Sequence, residues 1–348
     1  MISTVFPKKT KKKQSAAKKA LLSRALDNLK KIIYNRVNKV ILLEGRAVTD
    51  AAYRSCRLCP RACGVDRTAG GRGVCRVGAD LFVARAALHL WEEPCLVGDK
   101  GSGTVFFSGC GLGCTYCQNR AISRGDAGAE ISVERLAEIF LELQTAGAAN
   151  INLVTGTQFV PSILPALDSA RANGLSLPIV WNTGGYETVE TLDALRGYAD
   201  IFLPDFKYAR PETAREYSHA PDYPEIALAA IERMLEITGE PVFAPDGRLL
   251  RGTVVRLLLL PGHLLEAKTA LSRVFRLFGN DAIYSLMRQY TPQPGLPSPL
   301  DRRVTDREYS SFVDHAVSLG VARGYTQERE SAEESFIPPF DLTGVLKE

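Results

Sequence analysis

The chain has 348 residues, 45% of them hydrophobic, and a formal net charge of +4. No stretch approaches the about 18 consecutive apolar residues of a membrane-spanning helix, and the lysine-rich start precedes no apolar core of a secretory signal. These properties argue against an integral membrane protein and against a secreted one. They predict a cytoplasmic protein that is long enough to bury a substantial core.

The first segment, residues 1–50, is strongly basic. Residues 1–40 carry twelve Lys or Arg and one acid, Asp27, and the lysine run 8–13 has no aromatic side chain on which nucleobases stack. We therefore expect no specific nucleic-acid binding. Over residues 17–43, apolar side chains recur every three or four positions, which predicts an amphipathic helix. This helix is expected to pack against the protein; binding to a membrane surface or to a partner is the alternative.

All eight cysteines lie between residues 56 and 117, and their short spacings indicate metal ligation in a reducing compartment rather than disulfides. Residues 51–100 lack a periodic apolar pattern, which predicts a small module that needs its metal to fold. Its four closely spaced cysteines are Cys56, Cys59, Cys63 and Cys75. Four thiolates suit either zinc or a second iron–sulfur cluster, and ligand softness does not separate the two. Cys95 stands alone and is expected to be a buried thiol.

Residues 101–305 alternate strand and helix patterns, which predicts an α/β fold with a parallel sheet and right-handed crossovers. Six such units indicate a partial (β/α)6, TIM-like barrel. The predicted strands lie near residues 104–108, 150–154, 178–182, 200–205, 253–260 and 282–287. The predicted helices span residues 133–146, 162–172, 189–196, 226–237 and 264–278. The last segment, 306–348, is expected to form a helix to Leu319 and an extended tail over the outside or the mouth of the barrel.

Three more cysteines follow the first predicted strand directly. They are Cys110, Cys114 and Cys117, in the spacing Cys-x3-Cys-x2-Cys. Three thiolates on one tight loop can hold three irons of a cubane cluster and leave the fourth iron without a protein ligand. A structural zinc site would need a fourth ligand from outside this loop. An iron that lacks a protein ligand can bind a substrate or a cofactor.

This spacing, with the aromatic Tyr116 directly before the last cysteine, resembles the signature of radical S-adenosylmethionine (SAM) enzymes. The resemblance implies a 4Fe-4S cluster on the three cysteines, with SAM chelated to the open iron through its amino and carboxylate groups. One electron from the reduced cluster then cleaves SAM to methionine and a 5′-deoxyadenosyl radical. It also implies that Tyr116 packs near the adenine and that a flavodoxin or ferredoxin supplies the electron. The zinc-binding or reactive cysteine cluster is the alternative.

Polar residues end the other predicted strands, where ligands of α/β folds bind because the loops converge there. Thr155 and Thr157 follow the second strand and are candidates to accept hydrogen bonds from the ammonium group of SAM. Asn182 ends the third strand and suits a ribose or a carboxylate. Asp205 and Lys207 follow the fourth strand, and they are candidates for ribose hydroxyls and for a carboxylate. A structural ion pair is the alternative for Asp205 and Lys207.

Several short segments resemble an uncharacterised branch of radical SAM enzymes related to pyruvate formate-lyase activating enzyme. They are residues 93–95, 101–110, 182–187, 205–208, 260–262 and 289–292. The resemblance implies a protein substrate and a glycyl-radical activase as one candidate. Two positions depart from it: Gly156-Thr157-Gln158 replaces the usual sequence after the second strand, and Leu257 stands where activating enzymes place a histidine. RNA or a small metabolite as substrate, or a non-catalytic iron–sulfur or zinc interaction protein, are the alternatives.

Overall fold

The computed structural model describes residues 51–328 and 337–347. The basic arm and the helix predicted over residues 17–43 lie outside this range. From Ala51 onward the chain forms one compact unit. Within the described ranges, no helix is long and apolar enough to cross a membrane.

The core of the protein is a ten-stranded sheet in the order β10-β9-β8-β6-β5-β4-β2-β1-β3, with β7 paired to β8 outside this path. The bounds of the strands are β1 Leu81–His89, β2 Ser102–Phe107, β3 Ala129–Ile131, β4 Ile151–Val154, β5 Ile179–Thr183, β6 Ile201–Pro204, β7 Val242–Phe243, β8 Leu249–Leu258, β9 Ile283–Met287 and β10 Gly324–Thr326. From β2 to β10 along this path, all neighbours pair in parallel. The carboxyl ends of these strands therefore meet on one side of the fold.

Helices connect the parallel strands and cover the sheet. Their bounds are α1 Pro94–Val97, α2 Arg120–Ser123, α3 Val133–Thr145, α4 Val160–Ala172, α5 Val189–Ala194, α6 Pro211–Ser218, α7 Tyr223–Thr238, α8 Leu264–Phe278 and α9 Asp306–Leu319. The residues of β2, β4, β5, β6 and β9 are all buried. Strands that are buried on both faces are predominantly apolar, which explains why they appear in the sequence as short, mostly apolar runs.

The predicted α/β fold is confirmed, and a partial barrel is consistent with the observed sheet. The six predicted strands correspond to β2, β4, β5, β6, β8 and β9. Helix α7 begins at Tyr223, three residues earlier than predicted, because Pro224 occupies its first turn, where proline is well tolerated. The sequence patterns missed β1, which pairs antiparallel with β2 at the edge of the barrel.

The carboxyl-terminal tail pairs with the part of β1 that lies beyond its short contact with β3. The backbone N–H of Leu342 donates to the carbonyl oxygen of Ala84 at 3.1 Å, and the N–H of Ala86 donates to that of Thr343 at 2.9 Å. The side chain of Val345 is fully buried in the core. An exposed strand edge is prone to pair with other chains, and this tail protects it.

The cysteine-rich segment packs against the barrel wall. Tyr53 Oη and Ser162 Oγ share a hydrogen bond of 2.9 Å, and Thr191 Oγ1 donates to the carbonyl oxygen of Leu58 at 2.8 Å. Ser162 lies on α4 and Thr191 lies on α5. Both helices flank β5, so the segment sits beside the strand ends at which a ligand site is predicted.

Candidate functional site

The three cysteines of the predicted cluster site lie on the loop that leaves the carboxyl end of β2. Gly109 begins this loop with a φ of 84°. A Cβ atom at this position would stand 2.7 Å from the carbonyl oxygen of Cys75. Glycine is required here for two reasons, since the backbone is left-handed and another segment of the chain approaches it closely.

Hydrogen-bond donors surround the sulfurs of this loop. The backbone N–H groups of Leu112 and Gly113 face the Cys110 thiol. Ser218 Oγ, at the end of α6, donates to Cys114 Sγ at 3.1 Å. Donors of this kind stabilise thiolates and tune the potential of an iron–sulfur cluster that they hold.

The thiols need a positive charge nearby in order to ionise. Burial, followed by repulsion from neighbouring sulfurs, raises the pKa of Cys110 and takes that of Cys117 to about 12. The ammonium of Lys207 acts in the opposite direction on both thiols. Thiolates bind iron, and iron supplies the compensating charge. The loop therefore has the donor set of a metal site rather than that of a free nucleophile.

Arg61, from the cysteine-rich segment, holds the loop in place. Its Nε donates to the carbonyl oxygen of Gly111 at 2.8 Å, and its Nη atoms donate to the carbonyl oxygens of Ser218 at 2.8 Å and His219 at 2.6 Å. The guanidinium also lies 5.3 Å from the centre of the Tyr186 ring. Sequence spacing could not reveal this role, because Arg61 and Gly111 are 50 positions apart.

Asp205 and Lys207 form a buried ion pair that also includes Arg256. Arg256 Nε donates to Asp205 Oδ1 at 2.8 Å, and its Nη2 donates to Asn182 Oδ1 at 2.6 Å. Burial alone would raise the pKa of Asp205, but Arg256 and Lys207 outweigh it and hold that pKa below the usual value. Burial likewise lowers the pKa of Lys207, and the charge of Asp205 more than offsets it. Both groups are therefore charged in the folded protein.

Two neighbouring acids, Glu92 and Glu93, extend this charge network. Glu92 Oε1 accepts a hydrogen bond from Asn152 Nδ2 at 3.0 Å, and its Oε2 lies 3.8 Å from Arg256 Nη1. Glu93 is buried beside it, and its Oε2 has no hydrogen-bond partner among the described residues. Burial raises the pKa of both carboxyls, although Arg256 lowers it. No local motif marks Glu92, since its partners lie on β4 and β8; Glu93 begins the segment 93–95 named above.

A third buried carboxylate, Glu187, joins the ends of β4 and β5. Its Oε1 accepts hydrogen bonds from Thr157 Oγ1, at 2.6 Å, and from Thr183 Oγ1. Its Oε2 is buried and lacks a hydrogen-bond partner in the part of the chain that the structure describes. Burial raises the pKa of Glu187 to about 7, against the effect of the two hydroxyls and of the Trp181 indole N–H near this carboxyl. Thr155 precedes this cluster with a positive φ of 58°, a conformation that is uncommon outside glycine.

One concave pocket brings these groups together. Its lining contains Cys110 from the cluster loop and Cys59 and Cys75 from the cysteine-rich segment. It also contains the hydroxyl and carboxyl groups at the ends of β4 and β5, which are Thr155, Thr157, Thr183 and Glu187. Lys207 lies at its rim, since its Cε would be 3.6 Å from a Cβ atom on Gly184. A pocket of this chemistry suits a zwitterionic ligand better than an apolar one.

Tyr116 lies within an aromatic cluster beside the cluster loop. Its ring packs edge-on against Tyr208, Tyr217 and Tyr290, with ring centroids 6.4, 6.0 and 6.3 Å away. The side chain is buried. Contact between Tyr116 and an adenine ring stays a prediction.

The donor set fits the cofactors that the motif implies. Among the described residues, no three His, Cys, Asp or Glu side chains converge closely enough to hold one metal ion. In a 4Fe-4S cluster each cysteine binds its own iron, so the sulfurs need not meet at one point. Lys207 and the unpartnered oxygen of Glu187 offer opposite charges to the carboxylate and the ammonium of an amino-acid group. The assignment of individual site residues to SAM stays a prediction.

Among curated proteins, the chain is similar to an uncharacterized protein of Methanocaldococcus jannaschii. The two are 28% identical over 276 residues, which covers 76% of this chain and 75% of the relative. Solved structures with a similar fold include HydG, a maturase of the FeFe-hydrogenase, at 14% identity and a TM-score of 0.45. That match covers 66% of this chain and 52% of HydG, so the chain spans about half of the length of HydG. Another is anSMEcpe with bound AdoMet, at 12% identity and a TM-score of 0.45, with 63% and 61% of the two chains covered.

The family model of the Radical SAM superfamily matches residues 104–269. This range begins in β2, includes the three cysteines of the cluster loop and ends within α8. Membership implies a 4Fe-4S cluster and SAM binding, in agreement with the donor set on the loop. Residues 104–269 of this chain are thus a radical SAM domain.

Proposed function

We propose that this protein cleaves SAM reductively and uses the resulting radical to remove a hydrogen atom from its substrate. The observation that carries the proposal is the juxtaposition of a three-cysteine loop with a charged pocket at the carboxyl end of one parallel sheet. The cluster and SAM, when bound, supply the one-electron cleavage that yields methionine and a 5′-deoxyadenosyl radical. The protein supplies the binding, the orientation and the exclusion of water.

Each end of the amino-acid group of SAM has a partner in this proposal. Lys207 binds the carboxylate, because its ammonium is held charged by Asp205 at the rim of the pocket. Glu187 Oε2 accepts from the ammonium, with Thr155 and Thr157 as neighbouring acceptors. Burying a carboxylate oxygen without a partner is costly, and an ammonium would remove that cost. Asn182 and Asp205 are left to contact the ribose.

Further groups protect the site from water. Three tyrosines surround Tyr116, and Leu112 is buried beside Gly184 at the pocket wall. A dry site strengthens the electrostatic contacts to a charged ligand and keeps other hydrogen donors away from a radical. The electron would come from a flavodoxin or a ferredoxin.

For the substrate, we propose a glycine residue of a partner protein, so that the protein would act as a glycyl-radical activase. The support is the set of segments that resemble the activating-enzyme branch. Segment 182–187 lines the pocket, and Lys207 of segment 205–208 lies beside its wall at Gly184. Tyr290 of segment 289–292 packs on Tyr116. Segments that are far apart in the sequence thus lie around one site.

The cleavage step is tested with anaerobically reconstituted protein, dithionite and SAM. We expect release of 5′-deoxyadenosine by the native protein and by a Cys95→Ser variant, and none by Cys114→Ala. Cys95 is a matched control, because its thiol is buried in a separate part of the core with Leu96, Val180 and Ile201. A native protein with an intact cluster that releases no 5′-deoxyadenosine would establish the non-catalytic interaction protein instead.

The substrate is tested by following deuterium into 5′-deoxyadenosine. Candidate partner proteins with deuterated glycine should transfer the label and acquire a glycyl-radical signal in electron paramagnetic resonance. Transfer from deuterated RNA or from a deuterated metabolite, without transfer from any protein, would refute the activase proposal. The cleavage step would then stand with another substrate.

A further inference from the structure

A second group of cysteines takes no part in the function proposed above. It comprises Cys56, Cys59, Cys63 and Cys75. Tight turns order the segment: the N–H of Cys56 donates to the carbonyl oxygen of Val65 at 3.1 Å, and the N–H of Gly64 donates back to that of Cys56 at 3.0 Å. The fold of this segment thus places four thiols, including two on adjacent turns, within a small region.

The sulfurs of this group face a common region. Cys63 Sγ and Cys75 Sγ each lie 3.3 Å from the point where a Cβ atom on Gly73 would stand. A side chain at Gly73 would therefore press on both sulfurs, and only glycine leaves room between them. Cys59 and Cys75 line one pocket in the same region.

A buried cation accompanies the four thiols. Arg67 is 1% exposed, and its Nη1 donates to the carbonyl oxygen of Gln158 at 2.7 Å and to Cys56 Sγ at 3.8 Å. Its guanidinium lies 4.6 Å from the centre of the Tyr53 ring. Within the described ranges, no carboxylate pairs with Arg67. Its Nε also donates to the carbonyl oxygen of Gly78 at 3.0 Å. Metal-bound thiolates would supply the negative charge that this buried guanidinium lacks.

The sulfur positions bear on the choice between a single ion and a cluster, and the metal content measured in the test below decides it. A tetrahedral zinc holds all four sulfurs about 2.3 Å from one point. In the part of the chain that the structure describes, no three potential ligands converge in that way, in either cysteine group. The second group therefore shares the property of the three-cysteine loop, which the family assigns to a cluster. Sulfurs that are close to one another but do not meet at one point suit a cubane with one iron per cysteine.

We propose that Cys56, Cys59, Cys63 and Cys75 hold a second four-iron cluster. With four cysteine ligands it has no open iron, so it can exchange one electron but cannot chelate a substrate. The role of this cluster as an electron carrier rests on the proposed function. Cys59 Sγ lies 3.2 Å from the point where a Cβ atom on Gly111, next to Cys110, would stand. Cys59 and Cys75 also line the same pocket as Cys110. A one-electron carrier protein would reduce this cluster, which would return to its oxidised state as it passes that electron to the first.

The surface over this segment suits an acidic electron carrier. Six arginines and two acids, Asp66 and Asp80, lie within residues 51–80. Four of the arginines are exposed, and these are Arg54, Arg57, Arg72 and Arg76. Complementary charge accelerates the encounter with an acidic partner, and here it would bring that partner next to the second cluster.

The test measures iron, acid-labile sulfide and zinc in anaerobically purified, full-length protein. We expect about eight irons in the native protein and in Cys95→Ser, and about four in a Cys110→Ser, Cys114→Ser, Cys117→Ser variant. The reduced triple variant should keep a cluster signal in electron paramagnetic resonance, and added SAM should not change that signal. A triple variant that contains zinc, or no metal, would overturn the proposal.

A second variant guards against failure through misfolding. Cys59→Ser, Cys63→Ser should lose about four irons, and in the remaining protein SAM should still alter the cluster signal. If this variant keeps all of its iron, the second cluster does not exist. Native protein that contains both clusters and releases no 5′-deoxyadenosine would refute the proposed function alone, so the two failures can be told apart.

Discussion

The buried charge network predicts a large loss of stability when Arg256 is replaced by methionine. Arg256 lies 2.8 Å from Asp205 and 3.8 Å from Glu92, and its side chain is 13% exposed. Unit charges about 4 Å apart attract by about 4 kcal/mol at an effective dielectric constant of about 20. The change also removes the cost of burying a guanidinium, which offsets part of that loss. We expect the free energy of unfolding to fall by about 3–5 kcal/mol, as when one partner of a buried ion pair is removed.

The loss should depend on pH. Burial already raises the pKa of Glu92 and Glu93, and removing Arg256 takes away the charge that lowers it. A carboxyl whose pKa is raised by folding stabilises the folded state fully at pH values below its pKa in the unfolded chain. This contribution to the free energy of unfolding is lost as the pH rises through the pKa of the folded state. The difference in the free energy of unfolding between Arg256→Met and the native protein should therefore be smaller at pH 5 than at pH 8.

Urea unfolding of the reconstituted protein at pH 5 and pH 8 measures both effects. Arg251→Met is the matched control, because Arg251 lies on the same strand β8 with an exposed side chain. It should change the free energy of unfolding by no more than about 0.5 kcal/mol. Equal losses in Arg256→Met and Arg251→Met, or a loss in Arg256→Met that shrinks as the pH rises, would refute the electrostatic argument.

Three further predictions concern the pocket. Gly109→Ala should lose the iron of the cluster loop, because its Cβ atom would stand 2.7 Å from the Cys75 carbonyl oxygen. Gly113→Ala is the control and should keep this iron, because a Cβ atom there has open space. Its backbone strain should lower the free energy of unfolding by about 1 kcal/mol. Lys207→Met should weaken SAM binding, measured anaerobically by calorimetry, by about tenfold or more, and unchanged affinity would contradict its role. Burial raises the pKa of Glu187 to about 7. Ionisation of this carboxyl should therefore lower the free energy of unfolding by on the order of 3 kcal/mol as the pH rises from 4 to 8. Glu187→Gln should flatten that slope in urea unfolding, and an unchanged slope would contradict this assignment.

Much of the fold could be predicted from local patterns. The six barrel strands appear as short apolar runs because each is buried on both faces, and α8 ends at Gly279 as its terminal glycine predicts. Strand β1 was missed although it contains the apolar run Leu81–Ala84, because it pairs antiparallel with β2 and is not part of the βα alternation of the other strands. The tail residues 337–347, which cover β1, were predicted to lie over the outside or the mouth of the barrel, but the sequence did not indicate which strand they contact.

The candidate site was predictable only in part. The three-cysteine loop carries its spacing within eight residues, and Asp205 and Lys207 follow their strand directly. Arg61, Arg256, Glu92 and Glu187 carry no such signal, since each acquires its role from partners on other strands or loops. A buried charge is recognisable as functional only when its neighbours are known.

By itself, the sequence determined the α/β alternation and the positions of the parallel strands, and it predicted the ligands of the first cluster, because burial periodicity and ligand spacing are local properties of the chain. Only the tertiary structure decided that the Cys56 group lies against the Cys110 loop, and that Glu92 reaches Arg256 inside the sheet. Such contacts depend on which strands become neighbours and in which register they pair. That choice is made by packing of the whole core, so no short stretch of sequence contains it.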